Sequence, residues 1–444
     1  MKRADILRDI SDQLGDRQLV WFGTRGDDIE SAADIPQLRA AFSIIGTYRR
    51  RTAVQAGSLE DLTGYRPDLD TFEIDDEPES EAMVSLRRAL LRILAHPSAL
   101  FTYRPSTFIS AVCFARQDRC QYLGLFKDHQ SAFEHKPWVE SSIAGLGLPH
   151  IPWTYVADDD QLDTLRFLKD GPVMLRRSRS SGGVGLTRVD EPAQLESLWP
   201  REAEAYVSVA PFISGGLPVN VGGVVWRDGV TVHHASAQLI GIDGCTTRPF
   251  GYCGNDFGAI GDLPPETVDQ IDGSVQAIGT WLGSMGFRGA FGVDFLVKDD
   301  VPLFTEVNPR FQGSTGASCR LSVERDESCL ITEHLAANLG LPAPASVSLR
   351  EQHQRSGPLA QLVIHRPDGV ADADLDVGSL VAAIGSSVPG AFVDVVAGPD
   401  ITIGEAATCA RVVVRDRITT TGFDLVGPLR DAVDGWHPYE ALDT

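Results

Sequence analysis

Two acidic residues set inside apolar, strand-like runs constrain this chain more than any other feature. Residues 291–315 read FGVDFLVKDDVPLFTEVNPRFQGST, with runs at 291–297 and 301–307 separated by the turn signal Lys298-Asp299-Asp300. Asp294 interrupts the first run, Glu306 the second, and Asn308 follows two residues later. A carboxylate in an apolar strand is costly to bury unless a positive partner offsets it. Positions 306 and 308 keep the strand period and share a face, and a hairpin would set Asp294 beside them. Three hard oxygen donors with room left for water and phosphate suit a magnesium–nucleotide site better than a closed protein cage. Arg310, again two residues on, adds a guanidinium suited to a phosphate oxygen. The residues alone leave equally open an ordinary hairpin with two solvent-facing acids.

Composition narrows the class. A chain of 444 residues makes two to four domains, and 43% hydrophobic with 23% charged residues is the balance of a globular protein. A net charge of −22 argues against nucleic acid and anionic membranes as partners, while leaving room for a local positive pocket. Only five of the 39 basic residues are lysine, so each lysine is more informative than usual. The seven cysteines form no CxxC pair and are odd in number, which suits buried, reduced thiols. The opening MKRADILRDI lacks a signal-peptide apolar core and no run reaches transmembrane length, so the expected location is cytoplasmic.

Along the chain, residues 1–17 read as an amphipathic helix and 18–23 as a strand leading into the turn Thr24-Arg25-Gly26-Asp27-Asp28. Strand-like runs at 38–46, 106–114 and 121–126 alternate with helical patterns such as 79–95, which predicts a parallel α/β domain. A helix is expected over 131–145, ending at glycines. Strand 172–177 leads into the loop 178–185, and 186–189 returns. Strands follow at 204–213 and 219–226, with a hairpin turn at Asp228-Gly229. Helices are expected at 264–284 and 323–339, with a boundary at Pro342 and Pro344. The last hundred residues carry short β-rich runs, 359–365 and 409–415. Segment 238–257 reads as a polar, glycine-rich loop holding Arg248, Tyr252, Asn255 and Asp256; a loop of that length favours substrate binding. His233 and His234 are adjacent, face opposite ways on a strand and read as structural.

Three segments, in order, resemble the ATP-grasp superfamily. Asp294, Glu306, Asn308 and Arg310 stand in its acid–spacer–E-x-N-x-R pattern, with the acids twelve residues apart. Residues 173–185, VMLRRSRSSGGVG, look like the strand and glycine-rich loop that closes over the triphosphate. Lys136, the helix after it and Gly147-Leu148-Pro149 are similar to the family's lysine, helix and boundary. The resemblance implies an α/β (α+β) protein of ATP-grasp fold. Its expected parts are an N-terminal parallel-sheet α/β domain at 1–128, a two-lobed ATP-grasp module at 129–344 and a small β-rich C-terminal domain at 345–444. Within the module the glycine-loop lobe would span about 150–212 and the metal lobe about 213–344. Residues 133–139 (FEHKPWV), 288–295 (RGAFGVDF) and 308–315 (NPRFQGST) further resemble bacterial ATP-grasp ligases that build peptides in secondary metabolism, of the pheganomycin type.

The resemblance assigns roles residue by residue. ATP would be held by Lys136, by Arg176 where the family has lysine, and by the loop Ser180, Ser181, Gly182, Gly183, Val184 and Gly185. Small residues there let backbone N–H groups approach a phosphate, and the missing GK[ST] ending rules out a P-loop. The hinge that hydrogen-bonds adenine would be Val209, Ala210 and Phe212; the family's ribose-binding acid is missing from it. Asp294, Glu306 and Asn308 would bind one or two Mg²⁺, with Mn²⁺ able to substitute. Arg310 would stabilise the transferring phosphoryl group, and Arg288 the substrate carboxylate or a later oxyanion. Arg248, Tyr252, Asn255, Asp256, Gly313 and Ser314 are the substrate candidates. The implied activity joins a small-molecule acyl donor to the amine of an amino acid or peptide through an acyl phosphate, releasing ADP and phosphate. A homodimer is left open. The alternatives are another ATP-grasp ligase or carboxylase, and a nucleotide-binding regulator without turnover.

Overall fold

The computed structural model describes residues 1–46, 54–114, 118–157, 161–178, 182–200, 206–372, 375–395, 397–398 and 400–436. The N-terminal segment builds a five-stranded sheet, all parallel, in the order Gln55–Ser58, Leu38–Ile45, Gln18–Arg25, Ser98–Thr102, Cys120–Tyr122. Its two middle strands are apolar on both faces, as helix-covered parallel strands must be. Helix Arg3–Leu14 supplies Ile6, Ile10 and Leu14 at four-residue spacing, and helix Glu81–Ile93 supplies Met83, Leu86 and Leu90 behind an N-cap in which Ser80 accepts from Met83 N–H. Run 106–114, strand-like by composition, is instead helix Thr107–Phe114. The Asp75 carboxylate accepts the backbone N–H groups of Thr107 and Phe108 and so nucleates it.

A small antiparallel sheet follows, ordered Thr154–Ala157, Tyr206–Pro211, Val173–Arg176, Leu186–Val189. The largest sheet has eight antiparallel strands and carries the hairpin at its edge. Its order is Val301–Asn308, Gly289–Lys298, Leu217–Val225, Val230–Ile240, Tyr252–Asp256, Ala360–His365, Thr408–Val414, Phe392–Val395. The β-rich C-terminal residues therefore hydrogen-bond directly onto the central strands, through Gly254 opposite Leu362. They also reach the N-terminal segment, where Thr402–Ile403 pairs in parallel with Tyr65–Arg66. Arg66 is fully buried at that junction, with Nε on Glu60 Oε1 at 2.6 Å and Nη1 on the Thr408 carbonyl at 3.1 Å.

Three further expected elements differ. Helix 131–145 is two helices, Lys127–Phe133 and Lys136–Gly145, because Pro137 lacks the N–H needed to continue a helix and favours starting one. Helix 323–339 is likewise Thr315–Glu324 and Leu330–Asn338, broken where Asp326 adopts φ 56°. The loop expected at 238–257 is shorter, since strand Val230–Ile240 runs into it and Tyr252–Asp256 forms a strand of its own.

The parallel sheet and the large sheet meet at His334. Ala290 N–H donates to its Nδ1 at 2.9 Å, so Nε2 carries the proton and donates to the Leu123 carbonyl at 3.2 Å. Burial pushes this imidazole down to about 4. His233 instead pairs with Glu333 at 3.2 Å, and His234 is buried separately. All seven cysteines are buried and free. Among the described residues no helix is long and apolar enough to cross a membrane.

Candidate active site

The hairpin turns tightly because Asp299 and Asp300 both take the left-handed conformation, φ 50° and 64°, matching the twist of the flanking strands. The turn alone would set Asp294 opposite Thr305; a bulge between Asp294 and Phe295 shifts the register by one residue, so that Asp294 lies opposite Glu306 and Gly292 opposite Asn308. Asp294 is surrounded by amides. Asn308 Nδ2 donates to its Oδ2 at 3.1 Å, while Asn220, Gln238 and Gln312 donate to Oδ1 at 2.6, 3.3 and 3.2 Å. Burial, and then the charge of Glu306, nevertheless push Asp294 up to about 7. Burial acts upward on Glu306 too, but Lys136, with Nζ at 3.3 Å, together with Arg176 and Arg310 brings it below the usual range.

Two opposed carboxylates, one of them raised by burial and then by the charge of the other, form a place where a divalent cation would relieve the repulsion. Among the described residues no group of three or more His, Cys, Asp or Glu side chains gathers as a metal site. The donors here are two carboxylates and the Asn308 amide, a partial oxygen set of the kind Mg²⁺ accepts when water and phosphate complete its shell.

On the opposite wall, Arg176 is fixed flat. Its Nη2 donates to Glu140 Oε1 at 2.5 Å and its guanidinium stacks on the Trp153 ring at 3.9 Å. Of the glycine-rich loop, Ser180 and Ser181 lie outside the described residues. Gly182, Gly183 and Gly185 adopt φ 56°, 80° and 84°. A Cβ on Gly183 would collide with the Phe250 carbonyl and one on Gly182 with the Asp70 carboxyl. The loop thus packs across the cleft, against both the 241–251 connection and the N-terminal segment. Val209 turns its side chain into the core of the small sheet.

These walls enclose a cleft of about 1170 Å³. Of the candidate residues it gathers Arg176, Gly182, Gly183, Ala210, Phe212, Tyr252, Asn255, Asp294, Glu306, Asn308, Arg310, Gly313 and Ser314. Lys136 stands behind Glu306, in a narrow recess off the cleft. Val184, Gly185, Val209, Arg248, Asp256 and Arg288 are not on the cleft wall. Arg248 is held by Asp68 at 2.7 Å. The Asp256 carboxylate accepts the N–H groups of Gly258, Ala259, Ile418 and Thr419 and anchors two turns. Arg288 donates to the carbonyls of Gly283 and Phe287 at a helix end. The cleft also contains residues that sequence reasoning did not single out: Arg25, Asp70, Tyr103, Arg104 and His365. The turn after the first strand signalled Arg25; no pattern signalled the others.

Comparison with known proteins bears on the fold. Residues 161–314 match the family model of the ATP-grasp domain, a span that runs from the small sheet to the end of the hairpin loop. The chain is similar over 227 residues, at 28% identity, to the formate-dependent phosphoribosylglycinamide formyltransferase of Nitratidesulfovibrio vulgaris, covering 49% of this chain and 51% of that one. The chain thus spans about half the length of the curated relatives it matches. Among solved structures, carboxyaminoimidazole ribonucleotide synthase of Aspergillus clavatus complexed with ATP superposes with TM-score 0.61 at 15% identity, over 95% of this chain and all of that one. Biotin carboxylase of Campylobacter jejuni gives 0.61 at 14%, over 91% and 89%. The chain has the ATP-grasp fold.

Proposed function

We propose that this protein is an ATP-dependent carboxylate–amine ligase that activates a carboxylate as an acyl phosphate and passes the acyl group to an amine, forming a peptide-like amide. The observation that carries the reading is the hairpin register, which sets Asp294, Glu306 and Asn308 on one face with Arg310 beside them. Mg²⁺ bound there supplies charge neutralisation for the triphosphate. Lys136 and Arg176 add positive charge beside Glu306, where the phosphates would lie. Arg310, on the same cleft, faces the oxygens of a group moving from ATP to the carboxylate. Backbone N–H groups of the glycine-rich loop cover the triphosphate, and the end of the strand Tyr206–Pro211, with Ala210 and Phe212 on the cleft, offers its backbone to adenine. No side-chain nucleophile is needed, because alignment of the two substrates supplies much of the acceleration.

A second reading, another ATP-grasp ligase or carboxylase acting on a smaller acid, is favoured by the relatives, which are named as a formate-dependent formyltransferase and carboxylating enzymes. Incubation with ATP, Mg²⁺ and a panel of amino acids, peptides, formate and bicarbonate, followed by mass spectrometry, separates the two. ADP with a condensation product from an amino acid or peptide supports the peptide-forming reading. Turnover with formate or bicarbonate alone supports the second, and AMP with pyrophosphate would overturn the acyl-phosphate route.

A further inference from the structure

The parallel sheet reverses its strand order between two neighbours, Gln18–Arg25 and Ser98–Thr102: from the first the chain proceeds outward to one edge, from the second to the other. In open α/β sheets the crevice at the carboxyl ends of two such strands is where ligands bind. Here those ends are Thr24-Arg25 and Tyr103-Arg104, and all four residues line the cleft. Arg25 is already matched, its guanidinium 3.1 Å from the buried Asp28 carboxylate. Arg104 is matched less well. Its partner Glu73, at 2.6 Å, is shared with Lys127 at 3.7 Å.

Arg310 comes from the other wall and has Glu134 at 3.6 Å, too long for a hydrogen bond. The Nε atoms of Arg104 and Arg310 are both buried without a hydrogen-bond partner. Arg104, Lys127 and Arg310 thus cluster around Glu73 and Glu134, and Arg310 also feels the charges of Glu306 and Asp294. Burial and then the nearby charge of Arg310 lower the pKa of Arg104, which places two guanidiniums in repulsive proximity. A guanidinium pair in one cleft is the arrangement a planar oxyanion satisfies, since each can offer a forked pair of N–H donors.

We propose that Arg104, at the switch point of the parallel sheet, binds the carboxylate of the acid substrate opposite Arg310, and so selects an anionic substrate end over a neutral or cationic one. This rests on the ligase reading above. Arg104 contributes through substrate binding, whereas Glu306 and Asn308 serve the nucleotide side.

The test uses the full chain with Mg²⁺ and a non-hydrolysable ATP analogue bound, and acetate as the probe. Acetate replacing chloride at constant ionic strength should raise the melting temperature of the wild type and leave that of Arg104→Gln unmoved. Glu73→Gln, which removes the ion-pair partner and keeps the guanidinium, should still respond; this separates lost binding from a weakened fold. Equal acetate responses in wild type and Arg104→Gln, or none in the wild type, overturn the assignment. In turnover, any acid that stimulates ADP release should need at least tenfold more to half-saturate Arg104→Gln, a larger change than the fall in maximal rate, with Arg104→Lys in between. An Arg104-dependent acetate response with no acid-stimulated ADP release would retain the anion site and sink the ligase reading. Acid-stimulated release with unchanged half-saturation would do the reverse.

Discussion

The hairpin and the glycine-rich lobe face each other across one cleft and place their chemistry by opposite means. On the hairpin, side chains act: strand register sets Asp294 against Glu306, and four amide donors fix one carboxylate. Across the cleft the backbone acts, in a loop whose glycines occupy conformations that other residues enter with strain. Charges need a rigid frame, because a displacement of an ångström changes what they stabilise. A phosphate cover needs close approach, and a side chain obstructs it.

Four substitutions probe this contrast, in falling order of effect. Glu306→Ala should cut ADP formation on the order of 10³-fold or more while the protein stays folded by circular dichroism; near-wild-type turnover would break the account of the hairpin. The frame beneath the hairpin should show in acid. His334 is held at about 4, below its ordinary 6.5, so below pH 6.5 the unfolded chain takes a proton that the folded one refuses. Its contribution is present in full above pH 6.5 and lost as pH falls toward 4, by up to about 3 kcal/mol. Urea denaturation across that range should slope less in His334→Gln, and parallel slopes would contradict the seam. Gly183→Ala should cost about 2 kcal/mol through φ strain and the Phe250 collision, and weaken ATP binding in calorimetry. Unchanged binding would show that the loop tolerates side chains and the contrast is overdrawn. Arg176→Lys should weaken ATP binding only about tenfold, because charge survives while the Glu140 contact and Trp153 stacking are lost. A complete loss would mean that this wall, too, depends on exact side-chain geometry.

The same contrast governs what could be read in the sequence. The hairpin was legible because carboxylates break apolar runs at fixed spacing and Asp299-Asp300 marks the turn. The glycine loop was legible as a loop because its run of small residues marks one. Run 106–114 was misread since a short apolar stretch has no period of its own, and the Asp75 cap that decides it lies thirty residues upstream. The helix breaks at Pro137 and Asp326 left weak local marks beneath strong apolar periodicity. Arg104 carried no signal, because its importance comes from which strands become neighbours.

The pairing of Thr402–Ile403 with Tyr65–Arg66 has a consequence for how the protein is made. A chain emerging from the ribosome completes its parallel sheet early, but Glu60 and the buried Arg66 wait for the carbonyl of Thr408 to arrive. More than three hundred residues separate those partners in sequence. Until then the junction is an exposed cation–carboxylate pair on an unfinished surface. The wall that His365, Thr408 and Phe423 contribute to the cleft is therefore built only after these residues have been synthesised. A nascent chain cut short between the hairpin and Thr408 would carry both the hairpin and the glycine loop and still lack a finished cleft.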